Sequence, residues 1–215
     1  YCGKDFFVKH DDLTGSLLLG NKVRKLDYLL FDAKQSNAEI ILTCGGIQSN
    51  HARATVIAAS MLGMKTKIFV FGTEPEVPEG NLFIDNLFNA EITYLTEEEY
   101  ADVDALMAAK KKELNKAGFN VYIVPEGGSS CLGIWGYINF IDEIKKFVIE
   151  NNITGIATAC GSGGTTAGML LGCAVNSLPL KIYSVNVLYP KDIIYNKIVD
   201  VVNECREKYQ IDEEV

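Results

Sequence analysis

Histidine is scarce in this 215-residue chain, which holds only His10 and His51. Its six cysteines, Cys2, Cys44, Cys131, Cys160, Cys173 and Cys205, include no C-x-x-C pair. A zinc site needs clustered thiolate and imidazole ligands, so both shortages argue against one. Cys44 and Cys160 fall in apolar, strand-like stretches, and the set reads as reduced small hydrophobes of a cytoplasmic protein. Basic clusters are missing too. The net charge is −8, and the one basic run, Lys110-Lys111-Lys112, sits among acidic and small residues as the solvated side of a helix. A nucleic-acid partner, which requires a basic face along its phosphates, is not expected. No apolar run reaches the ~18 residues of a membrane span, so no membrane partner is expected either.

What is present is a chain with 48% hydrophobic residues, enough to bury one large core or two small ones. Strand-like and helix-like segments alternate. Residues 6–8 read as a short strand. Residues 22–34 read as a helix with Val23, Leu26, Leu29, Leu30 and Ala33 on its apolar side and Arg24, Lys25, Asp27 and Lys34 elsewhere. The spacing then predicts strands at 39–43, 67–71, 92–95, 121–124, 153–159 and 181–187. Helices are expected at 49–62, 81–88, 97–117, 133–150, 165–174 and 192–209, with Gly63 and Gly118 as stops. Alternation of this kind implies an α/β fold, a parallel sheet with helices on both faces and ligands at the carboxyl ends of the strands. The 75–80 stretch, PEVPEG, reads as a surface loop.

Three turns carry polar groups beyond what a connection needs. Gly20-Asn21-Lys22 places a lysine at a helix start, where the dipole disfavours a cation by ~0.3–1 kcal/mol if it is exposed. Lysine is common at surface first turns. Burial there would instead lower its pKa and free the amine to attack a carbonyl. Cys44-Gly45-Gly46-Ile47-Gln48-Ser49-Asn50-His51 joins a strand to a helix, with Ser49 as cap. As a bare turn it needs only the glycines and the cap, whereas Gln48, Ser49, Asn50 and His51 together suit a carboxylate or another anion. Cys160-Gly161-Ser162-Gly163-Gly164-Thr165-Thr166-Ala167-Gly168 has the glycines and hydroxyls of a phosphate cradle. It lacks the G-K-[ST] of a P-loop. It also departs from a dinucleotide fingerprint: Thr166 stands at the third glycine, and the following strand ends Ser184-Val185-Asn186-Val187 without an acid. A small phosphate-bearing cofactor fits better than a dinucleotide, beside the plain reading as a structural turn.

Together these turns resemble the pyridoxal-phosphate (PLP) enzymes of the 1-aminocyclopropane-1-carboxylate (ACC) deaminase and D-cysteine desulfhydrase family, of the tryptophan-synthase β-like fold. The likeness runs in order from Val8-Lys9-His10-Asp11-Asp12-Leu13-Thr14-Gly15 through Gly20-Asn21-Lys22-Val23-Arg24-Lys25-Leu26. It continues through Gly45-Gly46-Ile47-Gln48-Ser49-Asn50-His51-Ala52-Arg53 and Pro125-Glu126-Gly127-Gly128-Ser129-Ser130 to the Gly161 turn. It implies a fold-type-II arrangement of three-layer αβα parallel sheets. Residues 25–131 would form a small domain, and 1–24 with 132–215 a partial large one. It implies that Lys22 holds PLP as a Schiff base and moves the substrate's α-proton, and that Asn50 bonds the ring oxygen. Ser162, Gly163, Gly164 and Thr165 would bind the phosphate. Ser49, Asn50 and His51 would hold the substrate carboxylate, Ser49 also relaying protons or acting as a nucleophile. A homodimer acting on a small amino acid is implied as well.

Within the family, His51, where ACC deaminases tend to have Gln, favours desulfhydrase-like β-elimination to pyruvate, ammonia and sulfide. Gly72-Thr73-Glu74-Pro75 with Gly80-Asn81-Leu82, and Gly127-Gly128-Ser129-Ser130, point the same way. ACC deamination is the alternative. Leu19, where a glycine is usual, would narrow the approach to the cofactor, and His10 replaces an arginine. Family members continue well beyond the equivalent of Tyr209 into a part that supplies a cofactor-side tyrosine and the pyridine-nitrogen partner. A non-catalytic PLP-fold fragment is therefore a second alternative.

Overall fold

A computed structural model describes residues 6–15 and 20–213, so Leu19 and Cys2 lie outside the described residues. Strands β1 (Ile40–Gly46), β2 (Lys65–Phe71), β3 (Glu91–Leu95) and β4 (Val121–Ile123) form one sheet in the order β3-β2-β1-β4. Every pairing is parallel, with Ile40 level with Lys65 and Val121. Strands β5 (Gly155–Cys160) and β6 (Lys181–Asn186) form a second parallel sheet.

The first sheet is three-layered because β1 is apolar on both faces. Ile41 points into a core with Leu26, Leu29 and Leu30 of α1 (Val23–Gln35) and Ala54 and Ile57 of α2 (Asn50–Met61). Ile40, Leu42 and Cys44 face the other way, toward Leu114, Val103 and Met107 of α5 (Val103–Lys116). Phe88, just after α3 (Gly80–Leu87), joins Val56, Ile68 and Val70. The second sheet is covered on one face: Ile156 and Ile182 pack under Tyr137, Phe140 and Ile141 of α6 (Trp135–Glu150) and Met169 and Cys173 of α7 (Gly164–Val175). Helix α8 (Lys191–Tyr209) packs on α6 and α7 through Val202 and Cys205. On the sheet's other face Tyr183 and Val185 are exposed.

The elements follow the predicted order, with three corrections. Residues 6–8 form no strand; Phe7 instead sets its ring edge-on to Phe147 at 5.1 Å. The single helix expected at 97–117 is two, α4 (Glu97–Ala101) and α5, broken at Asp102. Thr96 and Glu99 close a capping box that starts α4, and the break lets Val103 and Met107 reach the sheet while Tyr100 bonds Glu126. Third, Lys25, expected off the apolar side of α1, is nonetheless buried, at 2% exposed. The cysteines of the described residues are free and buried.

Candidate functional site

The three polar turns meet at the carboxyl end of the strands. The turn Gly20–Lys22 runs into α1, and Lys22 has helical dihedrals (φ −74°, ψ −23°). Ahead of it, Asp11 accepts from Nε and Nη2 of Arg24, each at 2.9 Å, and from the Tyr137 hydroxyl at 3.2 Å. Arg24 also donates to Glu143 at 2.7 Å. The bidentate pair thus ties the segment before Lys22 to α1 and α6.

Lys22 and Lys25 are three residues apart, hence on one helix face. Both line a small pocket of about 40 Å³ with residues 159–163, Thr165 and Thr166. Burial lowers the pKa of Lys22. Lys25 is pushed well below the usual lysine value by burial and then by the charge of Lys22, with Cys160 opposing. Its Nζ donates to the carbonyl of Gly127 at 3.0 Å, and among the described residues neither lysine has a carboxylate partner. A buried amine and a partly buried one, without a counter-ion among the described residues and beside a glycine-rich helix start, make an anion site with an amine at its edge.

The cradle depends on close backbone approach. A Cβ on Gly164 would lie 2.4 Å from Ser129 Oγ and 2.9 Å from Lys25 Nζ. Gly163 has a φ of +89° at the mouth of α7. Ser129 Oγ accepts from the Gly164 N–H at 3.0 Å and pairs with Ser162 Oγ at 2.8 Å, bridging the Glu126–Gly128 turn to the phosphate-type loop. At the start of α2, Ser49 Oγ accepts from the Ala52 N–H at 3.1 Å, as a cap should. Asn50 is exposed, and its Oδ1 accepts from Asn81 Nδ2 at 3.0 Å. A larger cleft of about 490 Å³ lies at the opposite, amino end of the first sheet, beside Ile40 and Lys65, far from these groups.

Residues 1–203 match the family described as pyridoxal-phosphate dependent enzyme. The chain belongs to that family. It is 39% identical over 206 residues to a putative ACC deaminase of Thermotoga maritima, covering 95% of this chain and 66% of that one. It is 37% identical over 205 residues to the mitochondrial bifunctional D-cysteine desulfhydrase/ACC deaminase of Arabidopsis thaliana, covering 90% and 51%. A crystal structure of an ACC deaminase homologue superposes with a TM-score of 0.86 at 32% identity, over 96% of this chain and 63% of that chain. The chain thus spans between about half and two thirds of the length of these relatives. Neighbours under 25% identical, such as a serine racemase of Dictyostelium discoideum at 17%, share the fold.

The residues in place fit the family's cofactor. The Lys25 amine, which has the Gly127 carbonyl but no carboxylate among the described residues, and the glycine cradle match a phosphate, and Lys22 offers an amine for an aldehyde. One expected residue departs from its assigned part. His51 is 3% exposed, and its Nε2 shares a 3.1 Å hydrogen bond with Thr43 Oγ1 of β1. Burial, with the charges of Lys22 and Lys25, pushes its pKa down to about 3. The ring is neutral and turned into the interior, so it brings no charge to a carboxylate, though its backbone N–H stays at the helix end. Sequence reasoning also missed Lys25, Ser129 and Asn81. For Lys25 the i, i+3 spacing from Lys22 was the available signal. Ser129 and Asn81 lay within the Gly127–Ser130 and Gly80–Leu82 stretches that carry the resemblance, but their partners, Ser162, Gly164, Arg53 and Asn50, lie far off in sequence.

Proposed function

We propose that this site holds PLP between Lys22 and the turn at Gly161–Gly163 and uses it for β-elimination on a small amino acid, D-cysteine desulfhydrase-like, releasing pyruvate, ammonia and sulfide. The supporting observation is the pair of counter-ion-free amines facing that turn, Lys25 buried and Lys22 partly so. When bound, PLP supplies an electron sink for the substrate's α-carbon. Lys22, its pKa lowered by burial, would hold the cofactor and, once the substrate's own amine has displaced it, would take the α-proton at its freed Nζ. Lys25, Ser162, Thr165 and the Gly163 N–H would bind the phosphate, while Gly164, its N–H held by Ser129 Oγ, would give the close backbone approach. Ser49, Asn50 and the first-turn N–H groups of α2 hold the substrate carboxylate, and Asn50 also meets the ring oxygen. The division into 25–131 and 1–24 plus 132–215 is part of this reading, supported by the two separate sheets. So are a homodimer, which light scattering would test, and a cytoplasmic location; among the described residues no helix is long and apolar enough to cross a membrane.

The test is direct. Purified protein with added PLP should show the visible absorbance of lysine-bound cofactor, and Lys22→Ala should lose it. Retention of that absorbance in the variant overturns the assignment, and a wild-type protein that stays colourless favours a non-catalytic PLP-fold domain. The name of the Arabidopsis relative keeps ACC deamination as a second reading. ACC has no α-proton, so Lys22 could not open that reaction by the same step, and Ser49 would have to contribute. Pyruvate release from D-cysteine compared with ACC separates the two.

A further inference from the structure

Asn50 is an amide, and its use depends on which end faces the cofactor. Its neighbours determine this by a chain of hydrogen bonds of fixed polarity. Arg53 can only donate. Its Nη1 reaches Asn81 Oδ1 at 2.9 Å, so the oxygen of Asn81 must face Arg53. The Nδ2 of Asn81 then points the other way, where it donates to the carbonyl of Gln48 at 2.7 Å, a group that can only accept. The second proton of the same Nδ2 goes to Asn50 Oδ1 at 3.0 Å. With its oxygen turned toward Asn81, the planar amide of Asn50 presents Nδ2 on its other side, and among the described residues that nitrogen makes no hydrogen bond.

The relay is held from both sides. Gln48 accepts from the Asn81 backbone N–H at 2.9 Å through Oε1 and donates to the Glu79 carbonyl at 3.0 Å through Nε2. That docking requires Gly80, whose φ is +57° and whose added Cβ would lie 2.5 Å from Gln48 Oε1. Asp85, one helical turn beyond Asn81 in α3 and 2% exposed, faces the charge of Arg53.

We propose that Asn81, oriented by Arg53, is a positioning residue that forces Asn50 to present an N–H donor, selecting an anionic ring oxygen over a donor group at that point. This deepens the PLP reading and rests on it. A carboxylate at 81 inverts the relay. Asn81→Asp would accept from Arg53 but repel the Gln48 carbonyl and Asn50 Oδ1, turning the oxygen of Asn50 toward the cofactor. Asn81→Ala deletes the relay without inverting it.

The test has two arms. In the ligand-free protein, hydrogen exchange of side-chain amides by NMR should show both Asn81 protons protected and those of Asn50 exchanging freely. In the binding arm, Asn81→Asp should weaken PLP by tenfold or more, and Asn81→Ala by less. Both variants should bind the PLP analogue lacking the ring hydroxyl within about twofold of wild type. A merely structural role predicts the opposite order, since Asp is the closer match in shape. Protected Asn50 protons, or equal losses for PLP and the analogue, would overturn the proposal. A wild-type protein that binds neither compound overturns the cofactor reading, and with it the acceptor assigned to Asn50, while the exchange pattern still reports on the amide polarity by itself.

Discussion

Replacing Lys25 with methionine should move stability and cofactor affinity in opposite directions. Methionine keeps the unbranched length of the side chain and fills the same buried volume. The wild-type amine is buried, without a carboxylate, and has one acceptor, the carbonyl of Gly127 at 3.0 Å. Its pKa is lowered well below the free-lysine value by burial and by Lys22. A lysine whose folded pKa lies below its unfolded one contributes full stability above about pH 10.5. That contribution is lost as the pH falls toward the folded pKa. The ligand-free Lys25→Met protein should therefore be at least as stable as wild type at pH 7. The rise in wild-type stability between neutral and alkaline pH should also be smaller in the variant.

Affinity should go the other way. A hydrogen bond from this amine to a phosphate oxygen contributes about 1.5–3 kcal/mol, so PLP should bind roughly 10- to 150-fold more weakly to Lys25→Met. Pyridoxal, which lacks the phosphate, should bind both proteins alike. The assay is equilibrium titration of both compounds, with urea unfolding of the ligand-free proteins at pH 7 and pH 10. Unchanged PLP affinity, or an equal loss for PLP and pyridoxal, would refute the assignment of Lys25 to the phosphate. A ligand-free variant less stable than wild type at pH 7 would refute the account of its burial.

Gly127→Ala places a Cβ 1.9 Å from Ser162 Oγ at a φ of +63°. The left-handed conformation costs about 1–2 kcal/mol, and the broken Ser129–Ser162 contact about 1 kcal/mol more. Denaturant unfolding should show a loss of roughly 2–3 kcal/mol, and an unchanged midpoint would contradict the cradle. His51, with its pKa near 3, should show no NMR titration of its ring between pH 8 and pH 5; an ordinary imidazole titration in that interval would mean the ring is not buried as described. Asp85 has its pKa raised to about 7, by burial against the opposing pull of Arg53. A carboxyl raised in this way favours folding below its unfolded pKa, and the advantage disappears as the pH rises through 7. Asp85→Asn should thus stabilise the protein at pH 8 by on the order of 2 kcal/mol, allowing for solvent screening, and by nothing near pH 4. Equal effects at both pH values would show that the carboxyl titrates normally.

The order of elements, the parallel α/β class and the cap at Ser49 were legible in the sequence because each depends on local signals. Ile41 and Leu42 on β1 are apolar in succession, as a strand buried on both faces must be. The Gly161 turn and Lys22 could be recognised singly for the same reason, as short runs whose chemistry lies within a few residues. Their meeting in one pocket across about 140 positions follows only from how α1 packs on α6 and α6 on α7. Helical periodicity put Lys25 off the apolar side of α1, and it did so because periodicity records one burial face per helix. The first turn of α1 is covered on a second side by the Gly127 turn and Tyr137. His51 reads as a polar end group in the sequence, yet the first turn of α2 rotates it toward Thr43. Which amide end Asn50 presents is likewise decided by Arg53 and Asn81, one on its own helix and one some thirty residues away. Local propensity names the groups; the tertiary packing selects their direction and protonation, because burial and donor–acceptor pairing are properties of neighbours in space.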